Sequence, residues 1–162
     1  MKIGFLIVDM QNIFLKNQLE VPNVQQACEY INHVADLLRT NHHLVVHIQD
    51  IEGSDETCPE LLEVIPEITV DQKDIRIAKE YSNAFWKTDL EQILINNGID
   101  LVIVAGFAAE HCVLFTYNGA LERGFKSVIL QNGILSTKPD VINQTYRDRN
   151  VVSYPVVESI VG

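Results

Sequence analysis

Apolar, β-branched runs alternate with segments of helical periodicity along this chain, and this alternation restricts the fold more than any other feature. Six strands are predicted, at Ile3 to Val8, Leu44 to Ile48, Ile75 to Ala78, Leu101 to Ala105, Ser127 to Leu130 and Val151 to Ser153. Several of these runs are apolar at every position, which is typical of strands covered on both faces of a parallel sheet.

Helical patterns occupy the intervals between the strands. Four helices are predicted, from Val24 to Leu38, from Thr88 to Gly98, from about Cys112 to Gly124, and after Pro139. In the second, Thr88 and Glu91 form a capping-box pattern. Segment 52–74 is predicted to be a long loop with one short helix at Glu60 to Val64. The order of elements predicts an α/β fold in three α/β/α layers, with a six-stranded, mostly parallel sheet and helices on both faces, in a single domain spanning residues 1–162.

Charge and cysteine spacing narrow the class of protein. The chain has 22 acidic and 12 basic side chains, a formal net charge of −10 and no basic cluster, which argues against nucleic acid and anionic membranes as partners. No apolar run approaches the roughly 20 residues that span a bilayer. Asp9 interrupts the first apolar run, so no signal peptide is predicted. Cys28, Cys58 and Cys112 lack CxxC and zinc-finger spacing, which favours reduced thiols and a cytoplasmic location.

Residues with reactive side chains follow the predicted strands. Asp9 ends the first strand, Asp50 lies just past the second, Lys79 ends the third, and Gly106 ends the fourth and is followed by Cys112. Ligands of parallel α/β sheets bind outside the carboxyl ends of the strands. The sequence therefore predicts a functional site at this edge.

Cys112 is the candidate nucleophile of that site. The amino terminus of a helix and a nearby cation, here Lys79, both favour a thiolate. Asp9 is a candidate base that takes the thiol proton and later returns it to a leaving group. Each residue taken alone also has a structural explanation, because buried cysteines often only pack, carboxylates cap helices, and lysines are commonly solvated.

Four motifs resemble the isochorismatase-like cysteine hydrolases, a family that includes nicotinamidases and N-carbamoylsarcosine amidases. They are LIVDMQNIF at 6–14, KEYSNAFWKTDLEQIL at 79–94, GIDLVIVAGFAAEHCV at 98–113 and TYNGALERGF at 116–125. The resemblance covers nearly the whole chain and implies a catalytic triad of Asp9, Lys79 and Cys112. It also implies a cis peptide bond between Phe107 and Ala108, and an oxyanion hole formed by the N–H groups of Ala108 and Cys112.

The activity implied by the resemblance is hydrolysis of a small amide, carbamoyl or related C–N bond through an acyl-enzyme thioester. The alternative is a catalytically silent binding or interaction domain that retains the fold. Hydrolysis of the vinyl ether of isochorismate is disfavoured, because that reaction needs no cysteine nucleophile. A small-molecule substrate and a homo-oligomer of two or four chains are the expected partners.

Members of this family that carry a metal bind it after the second strand, through an aspartate and several histidines. Asp50 aligns with the aspartate, but Glu52 stands where a histidine is expected. His47 lies inside the second strand and is predicted to be a packed core residue rather than a ligand. No metal or other cofactor is therefore predicted.

Several aromatic side chains are candidates for the walls of a substrate pocket, together with Asp50. Core packing is the alternative explanation for each of them. The aromatic candidates are Phe14, Tyr81, Phe85, Trp86 and Phe107.

Overall fold

The computed structural model describes residues 1–17, 20–53 and 58–162, and its centre is one sheet of six parallel strands. The strands are β1 (Ile3–Val8), β2 (Leu44–Asp50), β3 (Ile75–Lys79), β4 (Leu101–Phe107), β5 (Lys126–Leu135) and β6 (Val151–Val152). Their order across the sheet is β3-β2-β1-β4-β5-β6. The helices are α1 (Asn12–Leu15), α2 (Val24–Thr40), α3 (Leu90–Asn96), α4 (Cys112–Glu122), α5 (Pro139–Asp148) and α6 (Tyr154–Val161).

The helices cover both faces of the sheet, which confirms the predicted fold class. Apolar residues of α2 and α6 share one buried cluster with β1 side chains such as Phe5 and Ile7. Residues of α3, α4 and α5 share a second cluster with Leu6 and Val8, which point to the opposite face. Because successive strand residues alternate between faces, β1 supplies both cores.

Most strands differ from prediction at their carboxyl ends. The strands β2, β3, β4 and β5 extend beyond their apolar runs, and β6 is shorter than predicted. Asp50 pairs in register with Lys79 at the ends of β2 and β3. Asp50 and Lys79 have polar side chains, but their backbones continue the strand pairing. The length of the apolar run therefore underestimates the length of β2 and β3.

Three predictions about the helices were incomplete or wrong. The helices α1 and α6 were not predicted. In segment 52–74, of which residues 54–57 lie outside the described residues, a 3-10 turn at Pro59–Leu62 replaces the helix predicted at Glu60 to Val64. The capping box was wrong, since α3 begins at Leu90 and the Thr88 hydroxyl donates to the Ala84 carbonyl at 2.5 Å. Glu91 instead forms an ion pair with Arg123 at 3.1 Å.

His47 is buried and has a structural partner. Its Nε2 lies 2.9 Å from Oδ2 of Asp74. The Arg39 guanidinium donates one hydrogen bond to each oxygen of the same carboxylate. Burial acts to raise the pKa of Asp74, but the hydrogen bonds from His47 and Arg39 outweigh it and hold that pKa well below its usual range. This network fixes the chain before β3 onto α2 and β2.

Within residues 1–17, 20–53 and 58–162, no helix is long and apolar enough to cross a membrane.

Candidate active site

Asp9 follows β1 and turns sharply out of the strand. Its backbone has a φ of 52°, and its N–H donates to the Ile48 carbonyl at 2.9 Å. Aspartate tolerates the left-handed region better than most residues. The turn leaves the side chain 1 % exposed at the carboxyl edge of the sheet.

Lys79, the last residue of β3, contacts the other three reactive side chains of the site. Its Nζ lies 3.2 Å from Oδ2 of Asp9, 2.9 Å from Oδ2 of Asp50 and 3.3 Å from Sγ of Cys112. The lysine side chain is fully buried. A buried ammonium needs partners of opposite charge, and two carboxylates provide them here. Lys79 is therefore not a solvated surface lysine.

Cys112 is the first residue of α4, and close packing fixes the position of that helix. The Ala84 N–H donates to the Thr116 hydroxyl at 3.1 Å, and a Cβ on Gly119 would lie 2.5 Å from Oδ1 of Asn83. Glycine at 119 thus allows α4 to approach the segment that follows β3 and Lys79.

Gly106 allows β4 to reach the site. Its φ is +115°, and a Cβ at this position would lie 2.0 Å from the Val8 carbonyl oxygen. Only glycine fits this combination of backbone conformation and close approach. The chain then continues through Phe107 and Ala108, which are joined by a cis peptide bond.

The loop between β4 and α4 presents two free amide groups. The Ala108 carbonyl accepts hydrogen bonds from the N–H groups of His111 and Val113, and the Ala109 N–H donates to Leu135. Among the described residues, the N–H groups of Ala108 and Cys112 have no acceptor. Ala108 and Cys112 both line a cavity at this edge of the sheet.

The protonation of the site is set by burial and mutual charge. Burial raises the pKa of Asp9 from its ordinary 3.8 to about 6, although Lys79 opposes the shift. Burial and then the charge of Asp9 raise the pKa of the Cys112 thiol from 9.0 to about 12, and Lys79 offsets only part of this. Burial acts to lower the pKa of Lys79, but the charge of Asp9 and the interactions with Cys112 and Asp50 raise it above its ordinary 10.5.

At neutral pH the site therefore holds an ionised Asp9 next to a neutral thiol. Lys79 does act to lower the pKa of the thiol, but desolvation and the Asp9 charge are larger effects. A carboxylate with a pKa near 6 is well matched to accepting the thiol proton during attack.

Hydrogen bonds with Gln11 hold the backbone of Asp50 in place beside Lys79. The Gln11 side chain is buried, accepts a hydrogen bond from the Asp50 N–H at 2.8 Å and donates to the carbonyls of Asp50 and Leu62. The Asp50 carboxylate accepts a hydrogen bond from the Glu52 N–H at 2.8 Å. The Asp50 carboxylate thus forms an ion pair with the Lys79 ammonium, which the sequence pattern did not indicate.

A cavity of about 310 Å³ opens above the thiol. Of the predicted pocket residues, Phe14, Asp50 and Phe107 line it, and the rings of Phe14 and Phe107 stack with centroids 5.5 Å apart. Sequence reasoning missed several further lining residues, although two of them follow β5 and so end a strand at the same edge. These residues are Ser82, Glu110, His111, Thr137 and Lys138.

The other three pocket predictions were wrong for this cavity. Phe85 is buried in the second core cluster and stacks on Phe125. Trp86 is 52 % exposed, and Tyr81 lies at a neighbouring depression beside Glu52. All three follow β3 in an irregular segment, where sequence alone does not indicate which way a side chain points.

The donor set does not fit a catalytic metal. Ligand atoms of Asp9, Asp50 and Cys112 lie within 4.8 Å of one another, which is close enough to surround an ion. Lys79 Nζ already contacts all three, so a cation is part of this cluster. No histidine lines the cavity except the exposed His111, whereas zinc sites usually combine several nitrogen or sulfur donors.

Comparison with known proteins agrees with this geometry. Residues 4–148 match the Isochorismatase domain family. This chain belongs to the isochorismatase family. As a hydrolase of this family, the chain has a six-stranded sheet, and Asp9 after β1, Lys79 of β3 and Cys112 of α4 meet at its edge.

Individual relatives show how far the similarity extends. The chain is 21 % identical over 135 residues to the secreted isochorismatase effector Isc1 of Verticillium dahliae, covering 80 % of this chain and 70 % of that protein. The crystal structure of N-carbamoylsarcosine amidase from Thermoplasma acidophilum has a TM-score of 0.80 and 25 % identity, covering 94 % of this chain and 95 % of the other. An isochorismatase-like hydrolase from Alkaliphilus metalliredigens has a TM-score of 0.88 at 22 % identity, with coverage of 99 % and 97 %.

Proposed function

We propose that this isochorismatase-family hydrolase cleaves a small amide, carbamoyl or related C–N bond through a thioester on Cys112. The observation that carries the proposal is the position of Lys79 Nζ, 3.3 Å from the thiol sulfur and 3.2 Å from Asp9. The similarity to an N-carbamoylsarcosine amidase supports an amide-type substrate. The whole chain would then form one catalytic domain.

In the first half of the reaction, the Asp9 carboxylate accepts the Cys112 proton as Sγ attacks the substrate carbonyl carbon. The carbonyl oxygen becomes an oxyanion and accepts hydrogen bonds from the N–H groups of Ala108 and Cys112. The C–N bond then breaks. Asp9 returns its proton to the departing nitrogen, which leaves as ammonia or an amine, and the acyl group remains on sulfur.

In the second half, Asp9 takes a proton from water as the water oxygen attacks the thioester carbonyl. The C–S bond breaks, sulfur regains a proton, and a carboxylic or carbamic acid leaves. Lys79 keeps the charge of the buried site balanced while the negative charge moves between Asp9 and Cys112. No step requires a metal.

Two further properties belong to this proposal. Large exposed apolar side chains, including Trp86 and Phe115, support a homo-oligomer of two or four chains. The three free cysteines, of which Cys58 is exposed, support a cytoplasmic location. The Verticillium dahliae relative is a secreted isochorismatase effector, and fractionation of the native source tests the location of this chain.

Ammonia release from a panel of small primary amides tests the activity. We expect turnover by the wild type, only background release by the Cys112→Ala variant, and an acyl adduct on Cys112 by mass spectrometry. The matched control is the Cys28→Ala, Cys58→Ala double variant, which retains Cys112 and should remain active. Turnover by a correctly folded Cys112→Ala variant would refute the covalent mechanism. No turnover of any amide would favour the silent binding domain.

A further inference from the structure

Acidic side chains dominate the wall of the active-site cavity. Four carboxylates line it, those of Asp9, Asp50, Glu52 and Glu110, whereas Lys138 is the lining residue with an ammonium group. Lys79 adds a second positive charge, because its ammonium group contacts Asp9, Asp50 and Cys112 of the cavity wall. With His111 counted as neutral, the site carries two more negative than positive charges.

The carboxylates differ in whether the protein already neutralises them. Asp9 and Asp50 share the Lys79 ammonium at 3.2 and 2.9 Å. Among the described residues, neither Glu52 nor Glu110 has a cationic partner within ion-pair distance. The excess negative charge therefore belongs to these two glutamates.

Glu110 is the better placed of the two to contact a bound molecule. It lies two residues before Cys112, in the loop between β4 and α4, and it is only partly exposed. Its Oε2 is buried and has no hydrogen-bond partner among the described residues. A carboxylate with one buried oxygen that lacks a donor is poorly stabilised by the protein, and a cation bound against the accessible part of Glu110 would offset that cost.

We infer that the cavity selects small amides that carry an ammonium or another cationic donor group, and that Glu110 binds this group. The inference rests on the proposed hydrolytic function and specifies its substrate class. A substrate carboxylate would instead meet Glu52 and Glu110, and the exposed Lys138 is the one lysine or arginine that lines the cavity in the described part of the chain. The chain's net charge of −10 also attracts cations toward the surface.

Three amides of matched length test the inference. They are 4-aminobutanamide, which is cationic, pentanamide, which is its neutral isostere, and glutaramate, which is anionic. We expect kcat/KM to be highest for 4-aminobutanamide and lowest for glutaramate. In the Glu110→Gln variant, the ratio of kcat/KM for the cationic amide to that for the neutral amide should fall about tenfold or more, because a charge-assisted hydrogen bond is lost.

Two other variants control for general charge effects and for misfolding. Glu122→Gln removes the same charge from an exposed residue at the end of α4 that does not line the cavity, and should leave the ratio unchanged. Lys138→Gln makes the cavity more negative and should raise the ratio. Should Glu110→Gln fail to fold, the Lys138→Gln result still decides, and an unchanged or lower ratio would overturn the inference.

Binding to the Cys112→Ala variant, measured by calorimetry, separates this inference from the proposed function. Preferential binding of 4-aminobutanamide without turnover by the wild type would support the cation site and contradict hydrolysis. Turnover with a preference for glutaramate, or with no charge preference, would overturn the cation site while supporting hydrolysis. Failure of the cationic amide to bind at all would also refute the cation site.

Discussion

Asp9 should make the protein less stable as pH rises through the range in which it loses its proton. Its pKa is 3.8 in the unfolded chain and about 6 in the folded protein. Between these values the folded state holds a proton that the unfolded state has released, so the free energy of unfolding falls with increasing pH. A shift of about 2 pH units corresponds to about 3 kcal/mol, lost between about pH 4 and pH 7. The cause is the burial of a carboxylate that is 1 % exposed.

The Asp9→Asn variant isolates this contribution. It removes the titrating group, while Lys79 keeps Asp50 as a partner at 2.9 Å. We expect the free energy of unfolding, measured by urea denaturation from pH 5 to pH 8, to fall less steeply in the variant than in the wild type. Asp89→Asn, at an exposed position without a side-chain capping bond, is the matched control and should parallel the wild type.

The same ionisation should control activity. In the proposed mechanism Asp9 accepts the thiol proton in its ionised form, so kcat/KM of the wild type should rise through about pH 6 and then level off. Parallel stability profiles for wild type and Asp9→Asn would refute the raised pKa. A rise in activity only near the ordinary pKa of a carboxylate would point to the same conclusion.

Two other substitutions test the construction of the site. Lys79→Met should lower the free energy of unfolding by about 3–5 kcal/mol at pH 8, because it leaves Asp9 and Asp50 as a buried pair of like charges. Urea denaturation measures this loss. A loss below about 0.5 kcal/mol, as for a surface residue, would contradict the buried ion pair. Gly106→Ala should prevent β4 from pairing normally with β1, since its Cβ would lie 2.0 Å from the Val8 carbonyl; a wild-type circular dichroism spectrum and melting temperature would show that this contact is wrong.

The fold was predictable because the buried parallel strands are continuously apolar. The cores of all six strands were found in this way, and the alternation with helices indicated the three layers. The polar ends of β2 and β3 were missed because Asp50 and Lys79 pair through the backbone, to which side-chain polarity gives no clue. The helix α6 was missed because its apolar residues follow almost directly on the short apolar strand β6.

The reactive residues of the candidate site were predictable, but its electrostatics and much of its cavity wall were not. The rule that parallel strands deliver residues to one edge correctly indicated that Asp9, Lys79 and Cys112 meet. It did not indicate that Asp50 shares the Lys79 ammonium, because this depends on side-chain direction. Nor did it indicate the neutral thiol, because desolvation depends on how completely the surrounding chain excludes water.

The position of β2 between β1 and β3 makes hydrolysis dependent on completion of the sheet. Asp9 and Lys79 lie on strands that do not pair with each other, so they meet only after β2 has inserted between them. Cys112 arrives from the other side of β1, through β4. Parallel pairings between distant segments form slowly, since loop closure precedes the stabilising contacts. During refolding, helical signals should therefore return before activity, and a chain released from the ribosome without β4 would lack the reactive site altogether.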